Sequence, residues 1–166
     1  MNNEASDSQR WIDQAGPKDE LRSLQLVRAG SLRFGVFADA IATIVPWREP
    51  APLPEAPSSV LGVVNLQGRM LTVLDLRALT GAEANESTIA TERRIVAWRG
   101  DEQLALAVDE VGDIVKIAIS ELKPEPNPGA PILGRLQFEG LEINVLNLRD
   151  LFPAAIQGRE RRRRRF

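Results

Sequence analysis

Three carboxylates lie close together in the second half of the chain, and they are the residues best suited to chemistry. They are Asp109, Glu110 and Asp113, and converging carboxylate oxygens are what a hard cation or an acid–base pair requires. Asp109 directly follows an apolar run, Leu104–Val108, that is typical of a strand. An Asp at the end of a strand usually accepts hydrogen bonds from nearby backbone N–H groups. We therefore expect Asp109 to satisfy local backbone donors, and we predict no catalytic residue and no metal site.

The composition removes most other catalytic chemistries. The chain has 166 residues and contains no Cys, His or Tyr. Without Cys there are no disulfides, thiolate nucleophiles or sulfur-ligated metals, and without His there are no Ser-His-Asp triads and no His-liganded zinc. Only carboxylates, Lys, Arg and hydroxyl groups remain. We predict that the protein is not an enzyme and uses no cofactor.

Charge is divided unevenly along the chain. The 21 basic and 23 acidic residues give a net charge of −2, but Arg159–Phe166 holds six Arg and one Glu, so this segment carries +5 and the remainder −7. A run of Arg can bind the phosphates of nucleic acid or anionic lipid, or it can be a solvated tail. The tail is predicted to cover residues 153–166, and its candidate anion-binding residues are Arg161, Arg162, Arg163, Arg164 and Arg165.

The first 20 residues are polar, with five acidic and two basic side chains. Such a composition is typical of a disordered arm, which we predict for residues 1–20. A membrane-spanning helix needs about 20 consecutive apolar residues, and a signal peptide needs an apolar core. The sequence has neither pattern, so we expect a cytoplasmic protein.

The chain contains two related copies of one segment. A shift of 72 residues aligns Val60–Gly81 with Ile132–Pro153, and eight of the 22 positions are then identical. Typical residue usage would give roughly one or two. Upstream, a shift of 70 aligns Gly30 with Gly100, and the apolar positions that follow also match. An internal duplication therefore decides the architecture.

Each copy reads as a hairpin, a Pro-rich crossover and a second hairpin. The crossovers, Pro46–Pro57 and Pro124–Pro131, cannot be interior helix or central strand. The later hairpins turn at Gln67–Gly68 and Glu139–Gly140, where Gly tolerates the positive φ of a tight turn. Four or five short strands with an apolar face close into a small barrel, which removes exposed edges.

The predicted fold is therefore all-β, with two small five-stranded, SH3-like β-barrels related by internal duplication. The first barrel is placed at about 21–82 and the second at about 92–152. Helix is predicted to be minor, and the candidate segments are Leu76–Leu79, Ile119–Leu122 and Asp150–Gln157.

Three other side chains have predicted roles. Asp75 has Asn147 as its counterpart in the second copy, and a cap at a strand-to-helix junction explains both because Asp and Asn share an accepting oxygen. Trp47 lies in the first crossover, where an exposed indole would anchor a partner and a packed indole would cover the barrel mouth. Both roles are open for Trp47, whereas Trp98 is expected in the core.

Four blocks carry a resemblance to a known family. The strongest is the pattern G-V-x-N-L-x-G followed by V-x-D-L-R, at Gly62–Gly68 and Val73–Arg77. The segment FGVFADAIATIV, the Pro-rich loop after it and the run Val108–Val115 agree in order and spacing. From Leu21 to Phe152 the chain resembles the CheW-like family, which comprises chemotaxis coupling proteins and the related regulatory domain of the chemotaxis histidine kinase.

The resemblance implies two five-stranded barrels related by a pseudo-twofold axis. It also implies a non-catalytic adaptor in bacterial two-component signal transduction. Such an adaptor holds the cytoplasmic tip of a chemoreceptor in the groove between the barrels, and its barrel ends pair with the regulatory domain of the kinase. By resemblance, Ile41 and Thr43 lie near a receptor or kinase contact, while Asn65, Gln67 and Gly68 form an interaction turn.

The chain departs from the family pattern at two of these positions. Gln67 stands where Arg is usual, and Thr43 stands where Glu is common. Both changes remove charges that pair across interfaces, so we expect partner choice to change more than affinity. A second hypothesis, from another functional class, is a β-barrel protein that binds nucleic acid or an anionic surface through the Arg-rich tail.

Overall fold

Short strands make up the fold, and the computed structural model describes residues 20–82, 93–100, 103–126, 131–148 and 151. The strands within these ranges are β1 (Leu21–Ala29), β2 (Leu32–Phe37), β3 (Ile41–Pro46), β4 (Val60–Leu66), β5 (Arg69–Asp75), β6 (Arg94–Trp98), β7 (Leu104–Val108), β8 (Glu110–Ala118), β9 (Lys123–Pro124), β10 (Ile132–Phe138) and β11 (Leu141–Leu146). Helix α1 covers Leu76–Thr80, and 3-10 turns cover Ala38–Ala40 and Ile119–Glu121. The all-β class is confirmed. The predicted N-terminal arm falls outside the described residues apart from Glu20, the Arg-rich tail falls wholly outside them, and only Leu151 of the third predicted helix is described.

The strands form two sheets. The six-stranded sheet has the order β8-β1-β2-β11-β10-β9, and the five-stranded sheet has the order β3-β6-β7-β5-β4. Most neighbours are antiparallel, while β2 with β11 and β5 with β7 are parallel pairs. Closed barrels are not confirmed by this strand pairing.

Each sheet combines strands from both sequence copies, with β1–β5 from the first copy and β6–β11 from the second. The counterparts of β1, β2, β3, β4 and β5 in the second copy are β6, β7, β8, β10 and β11. If each strand is replaced by its counterpart, the order β8-β1-β2-β11-β10 becomes β3-β6-β7-β5-β4, which is the order of the other sheet. The strand order thus repeats as a duplication requires. The predicted division into one barrel per contiguous copy, at about 21–82 and 92–152, does not describe the sheets.

The length of one connection explains this exchange. If the strand after β2 were to lie on the far side of β1, where β8 lies, it would run parallel to β2, because β1 is antiparallel to both of its neighbours. Two parallel strands of one sheet need a crossover of a dozen or more residues, but only Ala38–Ala40 separates β2 from β3. The chain therefore cannot return to the far side of β1. It crosses instead to the five-stranded sheet, where β3 pairs with β6.

Three groups of buried side chains form the core. The central group lies between the sheets and includes Phe34 from one sheet and Leu106 from the other, both fully buried. Each such side chain contributes about 1.5–3 kcal/mol by leaving water. A smaller group lies within each sheet. In the six-stranded sheet, Ile117 of β8 and Leu136 of β10 belong to one group, so the sheet curves around it.

Each Pro-rich crossover pairs with the outer edge of a hairpin. Ala51 and Val63 exchange two backbone hydrogen bonds of 2.9 Å. Seventy-two residues later along the chain, Lys123 of β9 pairs with Arg135 of β10. Both hairpin edges are thereby covered, which limits pairing with other chains.

Candidate interaction surface

The predicted interaction turn joins β4 to β5 and faces solvent. Leu66 pairs with Arg69, so Gln67 and Gly68 form a two-residue loop. Their φ angles are +52° and +81°, and a type I′ hairpin turn requires positive φ at both central positions. Asn65 Oδ1 accepts a 3.0 Å hydrogen bond from the Gly68 N–H. The structure therefore presents all three predicted turn residues together, in a fixed and exposed loop.

Two arginines lie near this turn, and one of them donates to it. Arg48 Nη1 donates to the Asn65 carbonyl oxygen, and Arg69 Nη2 donates to the Gly100 carbonyl oxygen, each at 3.1 Å. Within the described part of the chain neither guanidinium forms an ion pair. Next to them, Met70 is 50% exposed. The surface near the turn therefore carries one exposed apolar side chain and two cationic side chains.

The other two predicted site residues, Ile41 and Thr43, lie on β3 at the opposite edge of the same sheet. Both are half-buried. Ile41 packs against the central core, and Thr43 lies opposite Ala97 just after a bulge in the strand pairing. Ile41 is thus a packing residue that offers a partner only part of its surface.

The β6–β7 turn connects these two groups of predicted residues. Its Arg99 N–H donates to the Ala40 carbonyl oxygen at 2.8 Å, directly before β3. Its Gly100 carbonyl oxygen accepts from Arg69, directly after the interaction turn. The two groups therefore lie on opposite edge strands but are linked through one intervening turn.

Trp47 is packed and is not a free anchor. It is half-buried against the small core of the five-stranded sheet, and the Arg93 guanidinium carbon lies 3.8 Å from its ring centroid. Such cation–π stacking is favourable. Of the two roles that the sequence left open, the structure shows packing, which holds the crossover where Arg48 and Ala51 reach β4. Trp98, 6% exposed, lies in the central core as predicted.

The carboxylates of the second copy do not converge. Asp109 is 3% exposed, and its Oδ2 accepts a 2.6 Å hydrogen bond from the Gly30 N–H. Glu110 pairs with Arg28 at 3.2 Å. Among the described residues, no group of three or more acidic side chains is arranged to hold a metal ion. Asp109 has the expected structural role, but the expectation of a local donor is wrong, because Gly30 lies 79 residues away.

Two exposed apolar side chains that no motif indicated lie on β1 and β8, at the edge of the six-stranded sheet, with Ser23 and Lys116 between them. Leu21 is 66% exposed and Ile114 is 61% exposed, and the pairing register places them on the same face. Ile44, the counterpart of Ile114 in the first copy, packs against the central core instead. The sequence does contain a signal that Ile114 is exposed. Its neighbours Asp113 and Lys116 are charged, whereas the neighbours of Ile44 at the same positions are not.

Two further sequence predictions concern the Arg-rich tail and the absence of a membrane-spanning helix. Arg161–Arg165 lie outside the described residues, so anion binding by the tail stays a prediction. As for membranes, none of the helices in the described ranges has the length and apolar character needed to cross one.

Comparison with known proteins now identifies the family. The family model described as CheW-like domain matches residues 23–156, which include the interaction turn and every strand except the first two residues of β1. The chain belongs to the CheW-like domain family. The resemblance drawn from the G-V-x-N-L-x-G block is therefore confirmed.

Three similar proteins support this assignment. A chemotaxis protein CheW of Rhizobium meliloti (strain 1021) is 33% identical over 138 residues, covering 80% of this chain and 88% of its own. Protein FrzA of Myxococcus xanthus is 30% identical over 151 residues, covering 87% of this chain and 91% of its own. The crystal structure of scaffolding protein TtCheW from Thermoanaerobacter tengcongensis has the same fold, with a TM-score of 0.71 at 21% identity, covering 80% and 88%. The CheW-like protein described here is a chemotaxis coupling adaptor, which favours the first hypothesis over nucleic-acid binding.

Proposed function

We propose that this CheW-like protein is a non-catalytic adaptor that binds two partners. One is the regulatory domain of a chemotaxis-type histidine kinase, and the other is the cytoplasmic tip of a chemoreceptor. The observation that carries the proposal is the interaction turn Asn65–Gly68, which is exposed and yet held by an internal hydrogen bond.

The turn suits a protein partner because it is ordered before binding. The Asn65–Gly68 hydrogen bond and the contact from Arg48 fix its backbone, which lowers the entropy cost of association. Met70 supplies an exposed apolar contact, and Met adapts its shape to a partner. Arg48 and Arg69 favour a partner that presents carboxylates. We assign this surface to the kinase domain.

The receptor tip is assigned to the face that carries Leu21 and Ile114. This face continues from the central core, since Val27 and Val111 of the same two strands pack there. An amphipathic helix that docks on an apolar surface places its own apolar side chains against it. The face therefore suits a helical receptor tip.

No chemistry is needed for this role. The buried carboxylate of Asp109 is used by the Gly30 N–H, and Asp75 caps helix α1 through a 3.1 Å hydrogen bond from the Arg77 N–H. The prominent acidic side chains thus act in the fold. We propose that the protein works by holding two partners in a fixed arrangement.

The test compares two equivalent glycines. Gly68 and Gly140 have φ angles of +81° and +77°, and a Cβ at either would meet nothing within 4 Å. Val at either position therefore strains only the backbone, by a similar amount. We expect Gly68→Val to raise the Kd for the kinase regulatory domain about tenfold, a loss of ~1.4 kcal/mol, while Gly140→Val binds like wild type. Isothermal titration calorimetry measures both, and thermal unfolding shows whether the two variants are equally destabilised.

Two results would count against this assignment. One is full binding by folded Gly68→Val, and the other is an equal loss of affinity in both variants. The receptor contact is tested separately with Ile114→Asp, which should weaken binding of a receptor tip fragment and leave kinase-domain binding unchanged. Loss of both affinities in this variant would contradict separate surfaces.

A further inference from the structure

A cleft of about 330 Å³ opens at the end of the six-stranded sheet near the β10–β11 turn, and the proposed function does not use it. Its lining combines apolar and charged side chains, and Leu141 among them is 42% exposed. The apolar side chains that line it come from β1, β8, β10 and β11. They include Leu26, Val115, Phe138, Leu141 and Ile143.

The rim of the cleft has a surplus of negative charge. Glu110, Asp113 and Glu139 line it together with two guanidinium groups, those of Arg28 and Arg33. Arg28 is paired with Glu110 at 3.2 Å. Among the described residues, Asp113 and Glu139 form no ion pair. Asp113 lies on β8 and Glu139 at the β10–β11 turn, and β1 and β2 separate these positions in the sheet order.

We propose that the segment Arg161–Phe166 of the same chain occupies this cleft. It consists of five Arg followed by Phe, and so combines positive charge with an aromatic ring. Guanidinium groups can pair with Asp113 and Glu139, and they can also stack on the ring of Phe138. The ring of Phe166 can pack on the apolar side chains that line the cleft. The wider charge balance agrees, because Arg159–Phe166 carries +5 against −7 on the rest of the chain.

The segment is long enough to reach the cleft. Leu151 is fully buried in the central core, and Val27 belongs to the same core while also lining the cleft. Ten residues lead from Leu151 to Arg161, and ten extended residues span up to about 33 Å. A domain of this size has a radius of gyration of about 14 Å. The tail can therefore reach the cleft and is present there at a high effective concentration.

A single spin label tests the proposal directly. The chain has no Cys, so Gly158→Cys provides the only thiol for labelling. In ¹⁵N spectra of the labelled full-length chain, we expect loss of amide intensity at Gly112 and Leu141 and none at Gly68, which lies in the other sheet. The effect should disappear at 0.5 M NaCl, where the Debye length is about 4 Å.

Two matched variants in the labelled background show whether charge causes the contact. Replacing Arg161–Arg165 with Gln removes five positive charges from the tail. The double variant Asp113→Lys with Glu139→Lys reverses the charge of two side chains that line the cleft. Each should restore the intensities at Gly112 and Leu141. Persistence of the loss in either variant would overturn the proposal, as would an intensity loss located elsewhere or absent.

A mixing experiment shows whether the tail in the cleft comes from the same chain or from a second copy. Labelled chains without ¹⁵N are combined with unlabelled ¹⁵N chains, so that only contacts between molecules are seen. The intramolecular proposal expects no intensity loss in this mixture. A loss near Gly112 that appears here and grows with concentration would show that a second copy supplies the tail, and would overturn the proposal.

Discussion

Gly62 and Gly134 meet the same obstacle in the two halves of the molecule. A Cβ at Gly62 would overlap the carbonyl oxygen of Ala51, and a Cβ at Gly134 would lie 2.5 Å from the carbonyl oxygen of Lys123. Both glycines follow a shift of strand register, and both lie where a Pro-rich crossover approaches the hairpin edge. The repeated glycine thus exists because the crossover backbone needs the space that a side chain would fill.

We predict that Ala at either position destabilises the fold. Inserting a methyl group against backbone typically costs about 1–3 kcal/mol, and Gly62→Ala should cost more because φ there is +145°. The matched control is Gly112→Ala, whose Cβ would meet Leu26 at an ordinary 3.6 Å. Urea unfolding measures the free energy of unfolding of the three variants. If Gly134→Ala were as stable as Gly112→Ala, the close approach of the crossover would not restrict this position.

A second prediction concerns the equivalent residues Asp109 and Asp39. Asp109→Ala removes the acceptor of the buried Gly30 N–H, and an unsatisfied buried donor costs about 1–3 kcal/mol. Asp39 is exposed and pairs with Arg22 at the surface, so Asp39→Ala should cost less than about 1 kcal/mol. Asp109→Asn keeps an accepting oxygen and should fall between the two. Equal costs for both Ala variants, measured by urea unfolding, would mean that the Gly30 contact contributes little.

These two Asp residues show what the sequence could and could not predict. The turn at Gln67–Gly68 and the cap at Asp75 were predictable because each depends on residues within a few positions. The backbone N–H that donates to Asp109 lies 79 residues away, on Gly30. A single sequence contains no signal that joins two positions so far apart, so only the structural role was predicted.

The exchange of strands between the sheets was missed for a related reason. The two copies are similar, so a hairpin in one copy has the same apolar pattern as its counterpart in the other. Pairing within a copy and pairing between copies therefore look alike in sequence. The connection Ala38–Ala40 is a local signal, because three residues are too few for the crossover that a second parallel strand of the same sheet needs.

The last prediction uses the two residues that precede the turn glycines. Gln67 and Glu139 have φ angles of +52° and +50°, where most side chains are unfavourable and Asn is well tolerated. Asn followed by Gly is also the preferred pair for a type I′ turn. Gln67→Asn and Glu139→Asn should therefore each stabilise the fold by about 0.5 kcal/mol. Since the turns belong to different sheets, the two gains should add.

Gln67→Val provides the opposite control, because a β-branched residue at positive φ is strained. We expect it to destabilise the fold, with the same slope of free energy against urea as wild type. A loss of stability in Gln67→Asn similar to that in Gln67→Val would show that the Gln67 side chain itself stabilises the turn. A gain at Glu139 alone would assign such a role to Gln67 specifically, and would point to contacts beyond the backbone in the turn Asn65–Gly68.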